Sequence, residues 1–105
     1  MIKLRNYEKI VGKAYINEIR KAAEPLKGKH IIHFNSTFYG GGVAEILSSL
    51  VPLMNELGIR TGWRIIKGNP DFFSITKKFH NALQGDKINL SKMKKIIYES
   101  VNKTN

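Results

Sequence analysis

The sequence predicts an α/β fold, and three observations carry that prediction. Apolar residues recur at spacings of three and four from Val43 to Leu57, which is the period of a helix. Short β-prone runs lie on either side of it, HIIHF at 30–34 and the segment Arg60 to Ile66. Three consecutive glycines, Gly40, Gly41 and Gly42, stand where the first strand would feed the helix. Strand–helix–strand order implies a right-handed parallel crossover. Two strands make a thin sheet, because parallel sheets normally have more strands and both faces covered. The pattern therefore reads as the front of a larger α/β domain: a short parallel sheet flanked by helices, with the order helix, strand, glycine loop, helix, strand, helix, helix.

Residues 6–23 read as one amphipathic helix, with Tyr7, Ile10, Val11, Ala14 and Ala22 near the 3.6 period. Pro25 and Gly28 end it. The run from His30 to Phe34 is bounded by Gly28 and Asn35-Ser36 and reads as a buried strand. The helix after the glycines carries Val43, Ile46, Leu47, Leu50, Val51, Met54 and Leu57, with Gly58 as its stop. Pro52 falls inside it and is expected to kink or divide it. Trp63, Ile65 and Ile66 mark the second strand. Asn69-Pro70-Asp71 is a helix start, with a capping asparagine, proline in the first turn and an acid beside it. Phe72, Ile75, Phe79 and Leu83 form its apolar stripe, and Gly85 closes it. A last helix, from about Leu90 to Asn102, shows Met93, Ile96, Ile97 and Val101.

With 105 residues and 42% hydrophobic content, the chain has room for one small globular domain. There is no cysteine, hence no disulfide framework and no thiolate metal site, which suits a cytoplasmic protein. No apolar run reaches membrane-span length, and the charged start MIKLRNYEK lacks the apolar core of a signal peptide. The net charge of +10 invites nucleic acid, anionic lipid or phosphorylated molecules, though a lysine-rich solvated surface explains it more simply. Lys87, Lys92, Lys94, Lys95 and Lys103 are not interleaved with arginines and exposed aromatics, as a single-strand groove would require. Only four arginines are present, too few to favour base-edge reading. No membrane partner is expected, and nucleic acid is disfavoured.

The glycine turn is the feature with chemistry in it. A strand feeding a glycine turn that opens a helix can bring phosphates or sugars onto main-chain amides at the carboxyl end of a parallel sheet. The spacing is not GxGxxG, and no Gly-Lys-Ser/Thr follows, so neither dinucleotide nor P-loop signature is present. A plain tight turn before a helix satisfies the same residues. Glu45, in the first turn, suits the helix dipole but repels a phosphate seated on those amides. A sugar, or a phosphate set to one side, fits it better.

Near the other end, His80 and Gln84 are four apart on a helix, and Asn81 and Gln84 three apart, so each pair is expected to share a face. They offer donors and acceptors suited to hydroxyl groups, although a lone helical histidine is ordinarily a surface residue. His30 and His33, three apart on a strand, point to opposite faces. With no HxH, HExxH or acid cluster, no protein-built metal site is expected. Ser36 and Thr37 suit turn hydroxyls or sugar contacts, Trp63 a core or edge-strand aromatic, and Lys77 and Lys78 solvated charges or steering of an anionic ligand.

The segments STFYGGGVAEILSSLVPLMNELGI and FFSITKKFHNALQGD, at this separation, resemble the opening of archaeal and bacterial trehalose synthases of the glycosyl-transferring type. The similarity runs from the first helix through the last. That family consists of retaining glycosyltransferases with two facing Rossmann-like domains, the GT-B arrangement. The resemblance implies that residues 1–105 form an incomplete Rossmann-like unit, part of the N-terminal domain, with the nucleotide-sugar-binding domain absent. It implies transfer of glucose from a nucleotide-diphosphate glucose (NDP-glucose) donor to free glucose, giving trehalose, and it admits Mg2+ beside the donor. It assigns no catalytic residue and no cofactor to these residues, so the chain is expected to be inactive alone. Substrate contacts fall to Gly40, Gly41, Gly42, Glu45, His80, Asn81 and Gln84, with His80, Asn81 and Gln84 facing the acceptor. A non-catalytic sugar- or phosphate-binding module is the alternative. The open sheet is expected to be covered by self-association or by the remainder of the enzyme.

Overall fold

A computed structural model describes residues 2–105, and its contacts group the chain into two compact units, the first ending at Ile65 and the second spanning Ile66–Asn105. The first unit begins with a 3-10 turn, Leu4–Tyr7, followed by α1 (Glu8–Val11), α2 (Lys13–Ala23) and a second 3-10 turn, Glu24–Leu26. Then come β1 (His30–Asn35), α3 (Gly42–Glu56) and β2 (Arg60–Ile65). β1 and β2 pair in parallel, in register from His30 opposite Arg60 to Asn35 opposite Ile65. The class is therefore the expected one, a short open parallel sheet with helices in a partial Rossmann-like unit.

Leu4, Ile16, Ala23, Ala44, Leu47 and Ile59 form the buried core of this unit. Ile16 and Ala23 are two helical turns apart and so share a face of α2. Glu56, in the last turn of α3, accepts a hydrogen bond from the backbone N–H of Leu4, which ties the N-terminal turn to the crossover helix. In the same turn, Asn55 accepts from the Thr61 N–H (2.9 Å) and donates to its carbonyl (2.8 Å). One side chain thus fixes where the helix hands over to β2.

Three expectations for this unit are corrected. The single helix over 6–23 is broken at Gly12, whose φ of 85° lies outside the helical region. The break resets the helical phase, so Ile10 is 80% exposed and the core is made by Leu4, Ile16 and Ala23 instead. Of the two outcomes expected at Pro52, a kink or a division, division does not occur: α3 runs unbroken from Gly42 to Glu56. Proline removes one i→i−4 bond, and the rest of a 15-residue helix carries that loss. β1 is not buried on both sides: Ile32 and Phe34 are exposed, whereas Ile31, His33 and Asn35 are half-buried. Strand side chains alternate between faces, and only one face of this short sheet is covered.

In the second unit, α4 spans Pro70–Leu83 and α5 spans Lys92–Thr104. Asn69 caps α4 as its sequence context requires, its side-chain oxygen accepting the Phe72 N–H at 2.9 Å. Ser91 caps α5 through the Lys94 N–H at 3.2 Å, so that helix starts after Leu90. Phe72 and Ile75 are each 2% exposed. The Phe72 ring lies nearly parallel to Tyr98 of α5 (5.8 Å, 13°), and Phe79 meets Tyr98 edge-on at 5.0 Å. A Cβ on Gly68 would stand 2.4 Å from the Phe72 ring, so the chain leading into α4 passes too close for any side chain. Asn105 closes the unit by accepting from the Lys67 N–H (2.7 Å) and donating to the Lys67 carbonyl (2.9 Å). The expected stripes are corrected at their ends: Leu83 is 89% exposed, and Met93 and Ile96 also face solvent. The half-buried face of α5 is made by Ile97, Tyr98 and Val101.

Candidate functional site

β1 ends at Asn35, and the chain turns before α3 begins at Gly42. The turn is built locally. Thr37 Oγ1 accepts the Tyr39 N–H at 3.0 Å and donates to the Tyr39 carbonyl at 2.6 Å. Gly40 and Gly41 then take φ of 73° and 80°, values that an L side chain resists. Gly41 is the N-cap of α3 and, having no side chain, satisfies none of the first amides of the helix. Only the Glu45 N–H finds an intrahelical partner here, the Gly41 carbonyl at 3.2 Å.

Nothing lies within 4 Å of where a Cβ would sit on Gly40, Gly41 or Gly42. The bend is open to an approaching ligand. Glu45 stands in that first helical turn. With Gly42, Ile46, Ser49, Leu50 and Leu53 it lines an open hollow of about 560 Å³. Amides with the positive end of a helix dipole behind them, next to an acceptor carboxylate, match the alternating donors and acceptors of a polyol. They match a bare phosphate less well, because Glu45 opposes its charge.

Trp63, on β2, donates from Nε1 to Asn35 Oδ1 at 2.6 Å and meets Phe38 edge-on, with ring centroids 5.0 Å apart. It is thus an anchored aromatic of the sheet's carboxyl edge rather than a core residue. His30 is exposed, while His33 has a buried Nε2 without a hydrogen-bond partner, so the two point apart as expected. Among the described residues, no group of three His, Asp or Glu side chains is placed to share a metal ion.

In the second unit His80, Asn81 and Gln84 lie at the C-terminal end of α4. The Gln84 side-chain amide donates to His80 Nε2 at 3.3 Å, so that pair does share a face. Asn81 lines a hollow of about 280 Å³ with Lys78, Asp86, Lys87, Ile88 and Asn89. Its carbonyl gathers the N–H groups of Gln84 and Asp86, each at 3.0 Å. A hydrogen bond with Lys94, and then the repulsion of its charge, lower the pKa of the fully exposed Lys78. The two lysines are crowded with no carboxylate between them, since the one ion pair among the described residues is Lys27–Glu24.

Sequence reasoning passed over Phe38 and Tyr39. Phe38 is 49% exposed and Tyr39 87% exposed, and both immediately precede the glycines. The available signal was the pair of adjacent aromatics in a segment too short and too polar to bury them.

A family profile described as "Trehalose synthase, N-terminal domain" matches residues 33–105. The chain is 48% identical over 104 residues to a trehalose synthase of Pyrococcus horikoshii, covering 98% of this chain and 25% of that protein. It is 42% identical over 100 residues to a trehalose synthase of Rubrobacter xylanophilus, covering 95% and 24% respectively. A trehalose phosphorylase of Grifola frondosa is 37% identical over 81 residues, or 75% of this chain and 11% of the relative. The chain spans about a quarter of the length of the trehalose synthases it matches.

Proposed function

The chain belongs to the trehalose synthase family, through its N-terminal domain, and from that premise we propose that it forms the acceptor side of a retaining glycosyltransferase. In this reading glucose passes from an NDP-glucose donor to free glucose. The bond from the donor's anomeric carbon to the diphosphate breaks, and a bond to the acceptor hydroxyl oxygen forms on the same face. The acceptor proton leaves with the donor phosphate. The task of these 105 residues is to hold hydroxyl groups in place, which is worth much of the barrier in such a transfer. Binding the nucleotide falls to residues outside them.

The observation that carries this reading is the open turn at Gly40–Gly42, uncapped by any side chain and flanked by the Glu45 carboxylate. His80, Gln84 and Asn81 are assigned to the acceptor on the strength of the family match. No residue here is assigned a proton-transfer role, so the chain alone is expected to make no trehalose from NDP-glucose and glucose. Supplying the rest of the enzyme restores synthesis. The isotope-labelled chain titrated with glucose should show amide shifts at residues 40–45, and their absence would overturn the reading. Shifts without restored synthesis would favour a sugar-binding module that has no part in catalysis. We place the protein in the cytoplasm, in keeping with its lack of cysteine.

The uncovered sheet face supports a second proposal, that the isolated chain self-associates. Ile32 is 36% and Phe34 63% exposed on a strand whose sheet stops at two members, and such edges and faces favour pairing. Light scattering is expected to give a mass of two or more chains. A monodisperse monomer would contradict this.

A further inference from the structure

Burial does not account for the position of Tyr39 or of the exposed half of Phe38. In a chain whose core is small, burying a ring is among the larger stabilising contributions available. Yet Tyr39 is 87% exposed and Phe38 about half exposed. The backbone that carries them is tied down. Thr37 clamps Tyr39 through both its N–H and its carbonyl. Phe38 leans on Trp63, and Trp63 is fixed in turn by its 2.6 Å bond to Asn35. Exposed aromatics on a fixed backbone at the carboxyl edge of a parallel sheet stand where ligands of such folds bind.

From this juxtaposition, and building on the sugar-binding reading above, we propose that Phe38 and Tyr39 form a stacking platform for a pyranose ring whose hydroxyl groups bond the amides of the Gly40–Gly42 turn. A pyranose presents C–H groups on its ring faces and hydroxyls around its rim, so it can satisfy an aromatic surface and a row of N–H donors together. An apolar protein segment would cover the rings and leave those donors unpaired, at a desolvation cost. An isolated phosphate would use the amides and gain nothing from the rings. The platform therefore selects a six-membered ring sugar over acyclic polyols with the same hydroxyls.

The test uses the 105-residue chain with glucose, and with sorbitol as the acyclic control, followed by amide shifts and by the emission of Trp63, the sole tryptophan. Glucose is expected to perturb both the 40–45 amides and Trp63, with sorbitol much weaker. Tyr39→Ala and the Phe38→Ala/Tyr39→Ala pair should lower glucose affinity by about tenfold or more, the scale of one good aromatic contact. Tyr39→Phe should retain most of it. Tyr39 is too exposed for its truncation to unfold the chain, so that variant keeps the test sound if the double variant is destabilised. Unchanged glucose affinity in Tyr39→Ala would overturn the platform, assigning the rings to protein contact, while leaving the sugar-binding turn intact. Wild-type chain whose amides ignore glucose would remove both.

Discussion

Phe72→Ala is expected to unfold the second unit. The ring is 2% exposed, stacks on Tyr98, meets Phe73 edge-on at 5.3 Å, and fills the space against Gly68 that no other side chain can enter. Truncating a buried phenylalanine costs about 3–5 kcal/mol. Domains carry about 0.05–0.15 kcal/mol of stability per residue, so a unit of 40 residues, Ile66–Asn105, holds a total of similar size. The loss therefore removes most or all of that unit's margin. Urea denaturation followed by helical circular dichroism should show the α4–α5 signal lost at far lower denaturant than in the wild type. Phe72→Leu, which leaves a smaller void, should fall between them. A midpoint unmoved in Phe72→Ala would mean that α4 and α5 do not rest on this ring, and that the aromatic contacts around Tyr98 contribute little.

What the sequence revealed divides along a physical line. The helix at 42–56, the strand pair and the Asn69 cap were legible because each is dictated within a few residues. A 3.6 period, a β-prone run and a side chain that reaches its own N3 amide need no knowledge of the rest of the fold. The sidedness of β1 was not legible. Ile32 and Phe34 look like core in a strand of HIIHFN, and only the arrangement of neighbours decides which face is covered. Leu83, Met93 and Ile96 were not legible for the same reason, since only the neighbouring elements decide which face of a helix is covered.

The candidate site divides in the same way. Gly40 and Gly41 were readable as a turn because positive φ is a demand on residue type. The hollow beside Asn81 was not readable, because Asp86, Lys87, Ile88 and Asn89, which line it, lie beyond the helix. Gln84 is the C-cap of α4, with φ −97° and ψ 9°, and its side chain still meets His80 one turn back. Phe38 and Tyr39 were not legible because adjacent aromatics beside a turn fit burial as well as exposure, and only the packing around Trp63 decides between them.

Gly41→Val and Gly42→Ala together separate what the turn needs for folding from what it needs for binding. At Gly41 φ is 80°, a region in which a β-branched residue is a genuine outlier. Forcing valine there costs about 1–3 kcal/mol in backbone strain, even though no neighbouring atom stands in its way. The chain should respond by rearranging the turn, with lower thermal stability and loss of the glucose-dependent shifts at residues 40–45. Gly42 is different, because it already lies inside α3 without a positive φ, and a Cβ there also meets nothing within 4 Å. Alanine at 42 should leave stability unchanged or raise it by about 0.4–1 kcal/mol, through the entropy removed from the unfolded chain. Its methyl group nonetheless projects beside the first amides of the helix, so glucose binding should weaken without any loss of fold. If Gly42→Ala binds glucose as the wild type does, the sugar does not approach that part of the turn, and only Gly40 and Gly41 remain as contacts. Should both variants fold and bind normally, the glycines serve no ligand at all, and the exposed bend is only the entrance to a helix.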